Sequence, residues 1–296
     1  MRAPANVLGL ALGVSLAVSK HGAAQSSAIA AETDTSRAAL AFATAARAAT
    51  ERYRDQSVAI ADGYRPIGPA FPGMGEHWVN GAELVRGELA IARPQILEYA
   101  PVHGRPALVG VAYAVFVGGS DSAPNFPEGV AGARWHFHSG SVEAESFLHG
   151  HHEMMSDAMG PRIAVLHAWI WIDNPAGLFA TDNWALPFAE LGLAPPRSVS
   201  PAAGKALSLA TGGEAFLIDA LMANTGPAAG DSAKLRATVA MYADRARAWA
   251  ARHTAPEPPD ARAMAELDAL WDELWTEIER VASPTGAAKI LALKDR

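Results

Sequence analysis

The chain has 296 residues, no cysteine and a formal net charge of −7 at pH 7. Without thiols it can form no disulfide, zinc–thiolate site or cysteine nucleophile, and its acidic balance argues against nucleic acid, whose phosphates need a cationic surface. A hydrophobic share of 50 % at this length suffices for one large core or two smaller ones.

Met1-Arg2 precede an apolar run from Val7 to Val18, and Gly22-Ala23-Ala24 supply small side chains after it. This pattern predicts a secretory signal over residues 1–24, cleaved after Ala24. The run falls short of the roughly 20 residues a membrane-spanning helix needs. The mature chain is therefore expected to be periplasmic or secreted, with no membrane span.

Residues 25–62 form the next unit, an N-terminal helical segment. After a small, polar lead-in, Ser36 to about Ala61 is alanine-rich, with Leu40, Ala43, Arg47, Thr50 and Arg54 at helical spacing. Gly63 and Pro66 stop the helix, and the glycines and prolines of Gly63 to Gly75 predict an ordered loop or linker.

A β-rich, histidine-containing unit over residues 63–196 follows. Gln95–Val102 and Ala107–Val117 flank His103-Gly104-Arg105-Pro106 and read as a β-hairpin. Ala133–His138 and Arg162–Ile172 are two further strands, the second apolar on both faces and hence central. Beyond Pro195-Pro196, residues 197–296 turn helical. Ala202–Ala223 is interrupted at Gly212-Gly213. Ser232–Arg252 spaces Leu235, Val239, Tyr242, Ala246 and Trp249 by fours and threes, and Asp260–Ala282 does so with Met264, Leu267, Trp271, Leu274, Ile278 and Val281.

Six of the ten histidines crowd into residues 136–167. With cysteine absent, imidazole and carboxylate are the strongest metal ligands left. On a strand, His136 and His138 project to one side about 7 Å apart while Trp135 and Phe137 point the other way. By the same parity His167, Trp169 and Trp171 share a face. If the two strands are neighbours, His136, His138 and His167 converge as metal ligands, with His77 or Glu143 completing the shell. Such donors suit a divalent transition metal ion: zinc, copper, iron or manganese. In an enzyme the ion would polarise a small-molecule substrate or activate water or dioxygen, and Glu76 or Glu143 would move protons.

Two other groups stand out. His149, His151, His152, Glu153, Met154, Met155 and Met159 combine imidazole with thioether, either a copper-favouring set or a solvated helix or loop whose methionines pack inward. Gly73-Met74-Gly75-Glu76-His77-Trp78 places a histidine just after a close backbone approach. His152-Glu153 starts a metalloprotease-like pattern, but Ser156 stands where its second histidine would be, and no nucleophile elbow, phosphate loop or dinucleotide fingerprint is present.

The spacing His136-x-His138, Glu143 and Gly150 resembles the first metal motif of the cupin β-barrels, although Val130 replaces the glycine expected before it and Trp171 the asparagine expected after His167. That resemblance implies a barrel-like sheet around a metal. Gly63-Tyr64-Arg65-Pro66, Met74-Gly75-Glu76-His77-Trp78, Pro94-Gln95-Ile96-Leu97-Glu98-Tyr99, His167-Ala168-Trp169-Ile170-Trp171 and Asn174-Pro175-x-Gly177-x-Phe179 together resemble a group of exported bacterial proteins of unknown function. This likeness covers about residues 63–190 and implies export, with no activity to carry over.

The expected fold is α+β, with an N-terminal helix, a mainly antiparallel sheet over residues 75–190 and a helical C-terminal region. The expected function is metal binding outside the cytoplasm, with catalysis and oligomeric state left open. The competing reading is a non-enzymatic envelope protein that binds an apolar ligand or a protein partner and whose histidines are structural.

Overall fold

The computed structural model describes residues 37–117, 122, 124–130, 132–139, 162–225, 229–254 and 256–282. The expected signal segment, Glu143 and the His149–Met159 group lie outside the described residues. The fold is α+β, with six strands in one antiparallel sheet that curls into a half-barrel. Among the described residues no helix is long and apolar enough to cross a membrane.

Helix α1 (37–50) runs into a 3-10 turn at Glu51–Arg54, and a separate short helix α2 (Gln56–Ala61) follows. The single helix expected over Ser36–Ala61 is thus broken at Asp55. Its carboxylate accepts the Ser57 amide at 2.9 Å and the Ser57 hydroxyl at 2.7 Å, a local capping pattern that competes with helix continuation. The residues at helical spacing are only partly the buried ones. Leu40 is 68 % exposed, whereas Phe42, Ala46, Thr50 and Tyr53 are the residues that turn inward.

Strands β1 (Tyr64–Phe71) and β2 (Gly75–Asn80) form a hairpin. A loop was expected over Gly63–Gly75, yet most of it is strand. Pro66 and Pro69 are tolerated because β1 is the sheet edge, where an imino nitrogen leaves no ladder donor missing. A short helix α3 (Gly81–Arg86), capped by Asn80, leads to β3 (Ile96–Val102) and β4 (Arg105–Val117). These two form the expected hairpin across His103 and Gly104, whose positive φ values of 50° and 72° give the primed turn that matches strand twist. Strands β5 (His136–Ser139) and β6 (Arg162–Ala168) complete the sheet in the order β1-β2-β3-β4-β6-β5.

The two faces of this sheet have different roles. On one face Trp78, Leu97, Tyr99, Val111, Tyr113 and Leu166 pack beneath Phe42, Ala46 and Tyr53, so α1 covers them. The other carries Ile96, Ala112, Ala114 and Val165, together with the titratable residues described below.

The helical region comprises α4 (Leu186–Glu190), α5 (Pro201–Ser208), α6 (Gly213–Thr225), α7 (Ala229–Arg252) and α8 (Ala261–Val281). The break expected at Gly212-Gly213 is present: a 3-10 turn, Leu209–Thr211, separates α5 from α6. The expected apolar stripes of α7 and α8 form its core, where Leu235, Val239, Tyr242, Ala246 and Trp249 meet Leu267, Trp271, Leu274 and Ile278. This core joins the sheet through Leu186, which packs with Ala100, Val109 and Trp169. Trp184 adds a second joint: its ring lies against Gly73 of the β1–β2 turn, and its main chain and Cβ lie against Gly204 of α5.

Candidate metal centre

Three strands present side chains at one place, with the fourth, β4, running between two of them. His77 on β2 pairs directly with Glu98 on β3, Glu98 pairs with Gly110 on β4, and His167 on β6 pairs with Ala112, two residues along β4. Because alternate residues share a face, His77, Glu98 and His167 all project to the side away from α1. A β-bulge at Val109, where the β3–β4 register shifts by one residue, adjoins this row.

His77, Glu98 and His167 each offer a ligand atom, and these atoms all lie within 4.8 Å of one another. His77 Nε2 is 3.9 Å from Glu98 Oε1, and His167 Nδ1 is in direct contact with the same oxygen. All three are buried, Glu98 at 0 %, His167 at 2 % and His77 at 6 % exposure. The other carboxylate oxygen, Glu98 Oε2, is buried with no hydrogen-bond partner among the described residues.

A carboxylate this deeply buried costs several kcal/mol unless a positive charge stands beside it and its lone pairs are used. Two imidazoles and a carboxylate aimed at one point are a donor set that can supply that charge by holding a metal ion. Two histidines and one glutamate are the protein ligands of many catalytic zinc sites and of non-haem iron sites, both of which keep coordination positions open. The residues present therefore fit a divalent transition metal.

The surroundings are aromatic. Phe71 lies 5.3 Å from His77 between ring centroids, and Phe216 of α6 lies 5.4 Å from Phe71. Trp169 flanks His167 at 6.3 Å with nearly parallel rings and donates its indole N–H to the Ala180 carbonyl at 2.7 Å. Such walls keep water out and strengthen electrostatics within.

The expected neighbourhood of His136, His138 and His167 is present, since β5 pairs with β6 and all three histidines lie on the same face. The ring of His136 lies 5.0 Å from that of His167, and His138 lies 4.7 Å from His136. The group whose donors converge within 4.8 Å, however, is His77, Glu98 and His167. Of the carboxylates expected to move protons, Glu76 precedes His77 by one residue and so points to the opposite face, where it accepts the Trp78 indole N–H at 2.7 Å. Glu143 lies outside the described residues.

Trp171 does not share the face of His167 and Trp169 as strand parity had predicted. Strand β6 ends at Ala168, and the Ile170 amide turns back to the Ala168 carbonyl at 3.0 Å, which breaks the alternation. Trp171 then donates to Thr50 Oγ1 on α1 at 3.1 Å.

Glu98 is the site residue that sequence reasoning missed. Its signal was there: an acidic side chain alone in the apolar strand run Ile96-Leu97-Glu98-Tyr99-Ala100 must be either exposed on a solvent face or compensated inside. Comparison of the chain with protein-family models, with curated proteins and with solved structures finds no match.

Proposed function

We propose that this chain is an exported protein that binds a divalent transition metal ion through His77, Glu98 and His167. The observation that carries the reading is the convergence of three buried donors from three strands on one face of the sheet. Export rests on the basic start, apolar run and small residues of positions 1–24.

The donor set distinguishes among metals. Two imidazoles and a carboxylate favour zinc, iron(II) or manganese over copper(I), which would seek thiolate or thioether. Three protein ligands leave room for water or a small ligand, so an ion held here would act as a Lewis acid and lower the pKa of a bound water. The chain's own part is to fix the donors on rigid strands and to keep bulk water out with Phe71 and Trp169.

The test is metal analysis of the purified chain after exposure to zinc, iron(II), manganese or copper, followed by dialysis. A stoichiometric ion is expected in the parent and none in a His77→Ala, His167→Ala double variant. A parent chain that retains no ion and gains no melting temperature from any of the four would overturn the proposal and leave a purely structural His–Glu–His cluster.

A further inference from the structure

The centre is closed to solvent, so a hydrated ion needs a way in, and the fold holds a line of imidazoles that ends there. From outside inwards the ring centroids are separated by 4.7 Å from His138 to His136, 5.0 Å from His136 to His167 and 5.6 Å from His167 to His77. His138 is the outermost of the four: it is half-buried, while His136 is 1 %, His167 2 % and His77 6 % exposed. The outer two rings lie on β5, at the edge of the sheet farthest from β1, and the inner two lie within it.

Resting on the metal-centre reading, we propose that His138 and His136 form an uptake relay that passes the ion to the centre without themselves holding it at equilibrium. Stripping a dication of its water costs far more than any single protein contact returns, so transfer into a dry site proceeds by exchanging one donor at a time. A metal–imidazole bond is about 2.0–2.1 Å, so one ion can bridge two ring nitrogens roughly 4 Å apart. Neighbouring ring centroids are 4.7–5.6 Å apart, so each handover needs only a ring rotation, above all at His136 and His167, whose nearly parallel rings must turn before their in-plane lone pairs can meet one ion.

The alternation of β5 explains why both histidines are needed at i and i+2. Any odd spacing would send one of them to the α1 face, as happens to Phe137 between them, which pairs with Ala164. The two residues thus extend the donor row to the β5 edge of the sheet.

The experiment is zinc uptake by the metal-free full chain, followed in time with a chromophoric chelator as competitor. His138→Ala, at a half-buried position that should tolerate truncation, is expected to bind the same amount of zinc with the same affinity as the parent. Its uptake is expected to slow about tenfold or more, within the one to three decades over which association rates vary among variants of one site. His136→Gln, which keeps the buried volume, should slow uptake likewise, while His253→Ala, at a histidine just past the C-terminus of α7, should leave the rate unchanged.

Uptake by His138→Ala as fast as that of the parent overturns the relay. Loss of zinc stoichiometry or affinity in His138→Ala or His136→Gln also overturns it, because these residues would then be ligands of the centre, whose existence that result would support. A parent that binds no zinc, iron(II) or manganese removes both the centre and the relay.

Discussion

Glu98 and Gly110 face each other across β3 and β4, and a Cβ on Gly110 would stand 2.1 Å from Glu98 Oε2 and 3.2 Å from the Ala168 carbonyl oxygen. Gly110 has no positive φ, so its role is to leave space for the carboxylate rather than to permit an unusual backbone. A long acidic side chain can lie flat on the sheet between His77 and His167 only because its cross-strand neighbour has no side chain.

Gly110→Ala should therefore displace the carboxylate. The expected result is overpacking at a cost of about 1–3 kcal/mol, together with loss of metal binding. Chemical denaturation and metal titration of the same sample would check it. An alanine variant that binds metal as the parent does would mean that Glu98 is not held by this gap.

Glu98→Gln keeps the shape and removes the charge. Loss of even an outer-shell partner weakens metal sites by roughly 10–100-fold, so loss of this ligand should cost at least about 100-fold in affinity. The metal-free variant should melt at or above the parent, because a neutral amide is cheaper to bury than a carboxylate. Metal at about 100 times its Kd should add about 2.7 kcal/mol to the parent's stability, and calorimetry should find that gain absent in Glu98→Gln.

Gly204 lies in α5, where alanine ordinarily stabilises a helix by about 0.8–1.0 kcal/mol. Here the sign should reverse. A Cβ would come within 2.4 Å of Trp184 Cβ and 2.9 Å of its carbonyl oxygen. Main-chain atoms cannot give way cheaply, so Gly204→Ala is expected to destabilise by about 1–3 kcal/mol, with the Trp184 fluorescence shifted as the indole moves.

Glu190, at the end of α4, has its pKa raised above the ordinary carboxylate value of 4.5 chiefly by burial, against a smaller opposing hydrogen bond from Thr211. Its folded-state pKa exceeds its unfolded-state pKa, so the folded chain binds more protons between the two, and stability falls as pH rises through that window. Above that window the buried carboxylate opposes folding. Glu190→Gln should raise the melting temperature at pH 7, and the gain should vanish as pH falls through the raised pKa toward 4.5. A gain that persisted unchanged at pH 4 would mean that desolvation of Glu190 is not its source.

Much of the architecture was legible locally. The stripes of α7 and α8 were readable because the apolar period of a helix does not depend on its partner, and the hairpin because His103-Gly104-Arg105-Pro106 is a short turn between two strand-like runs, the second rich in valine. Strand parity likewise put His136 and His138 on one side without knowledge of a neighbour. Parity failed at Trp171, where the strand had already ended, and turn composition misled at β1, since proline excludes a central strand but not an edge. For α1, Leu40 and Phe42 are equally plausible inward residues until a sheet is placed beneath the helix.

What no local pattern could supply was the place of Glu98 between His77 and His167, in a group spread over 91 positions of chain. Their meeting depends on β2 lying beside β3, on β6 lying beside β4, and on the register that sets His77 opposite Glu98. A shift of one residue in any of these pairings would turn a donor to the α1 face. The types of donor are a property of composition, while their convergence is a property of strand pairing, which depends on the burial of both faces at once.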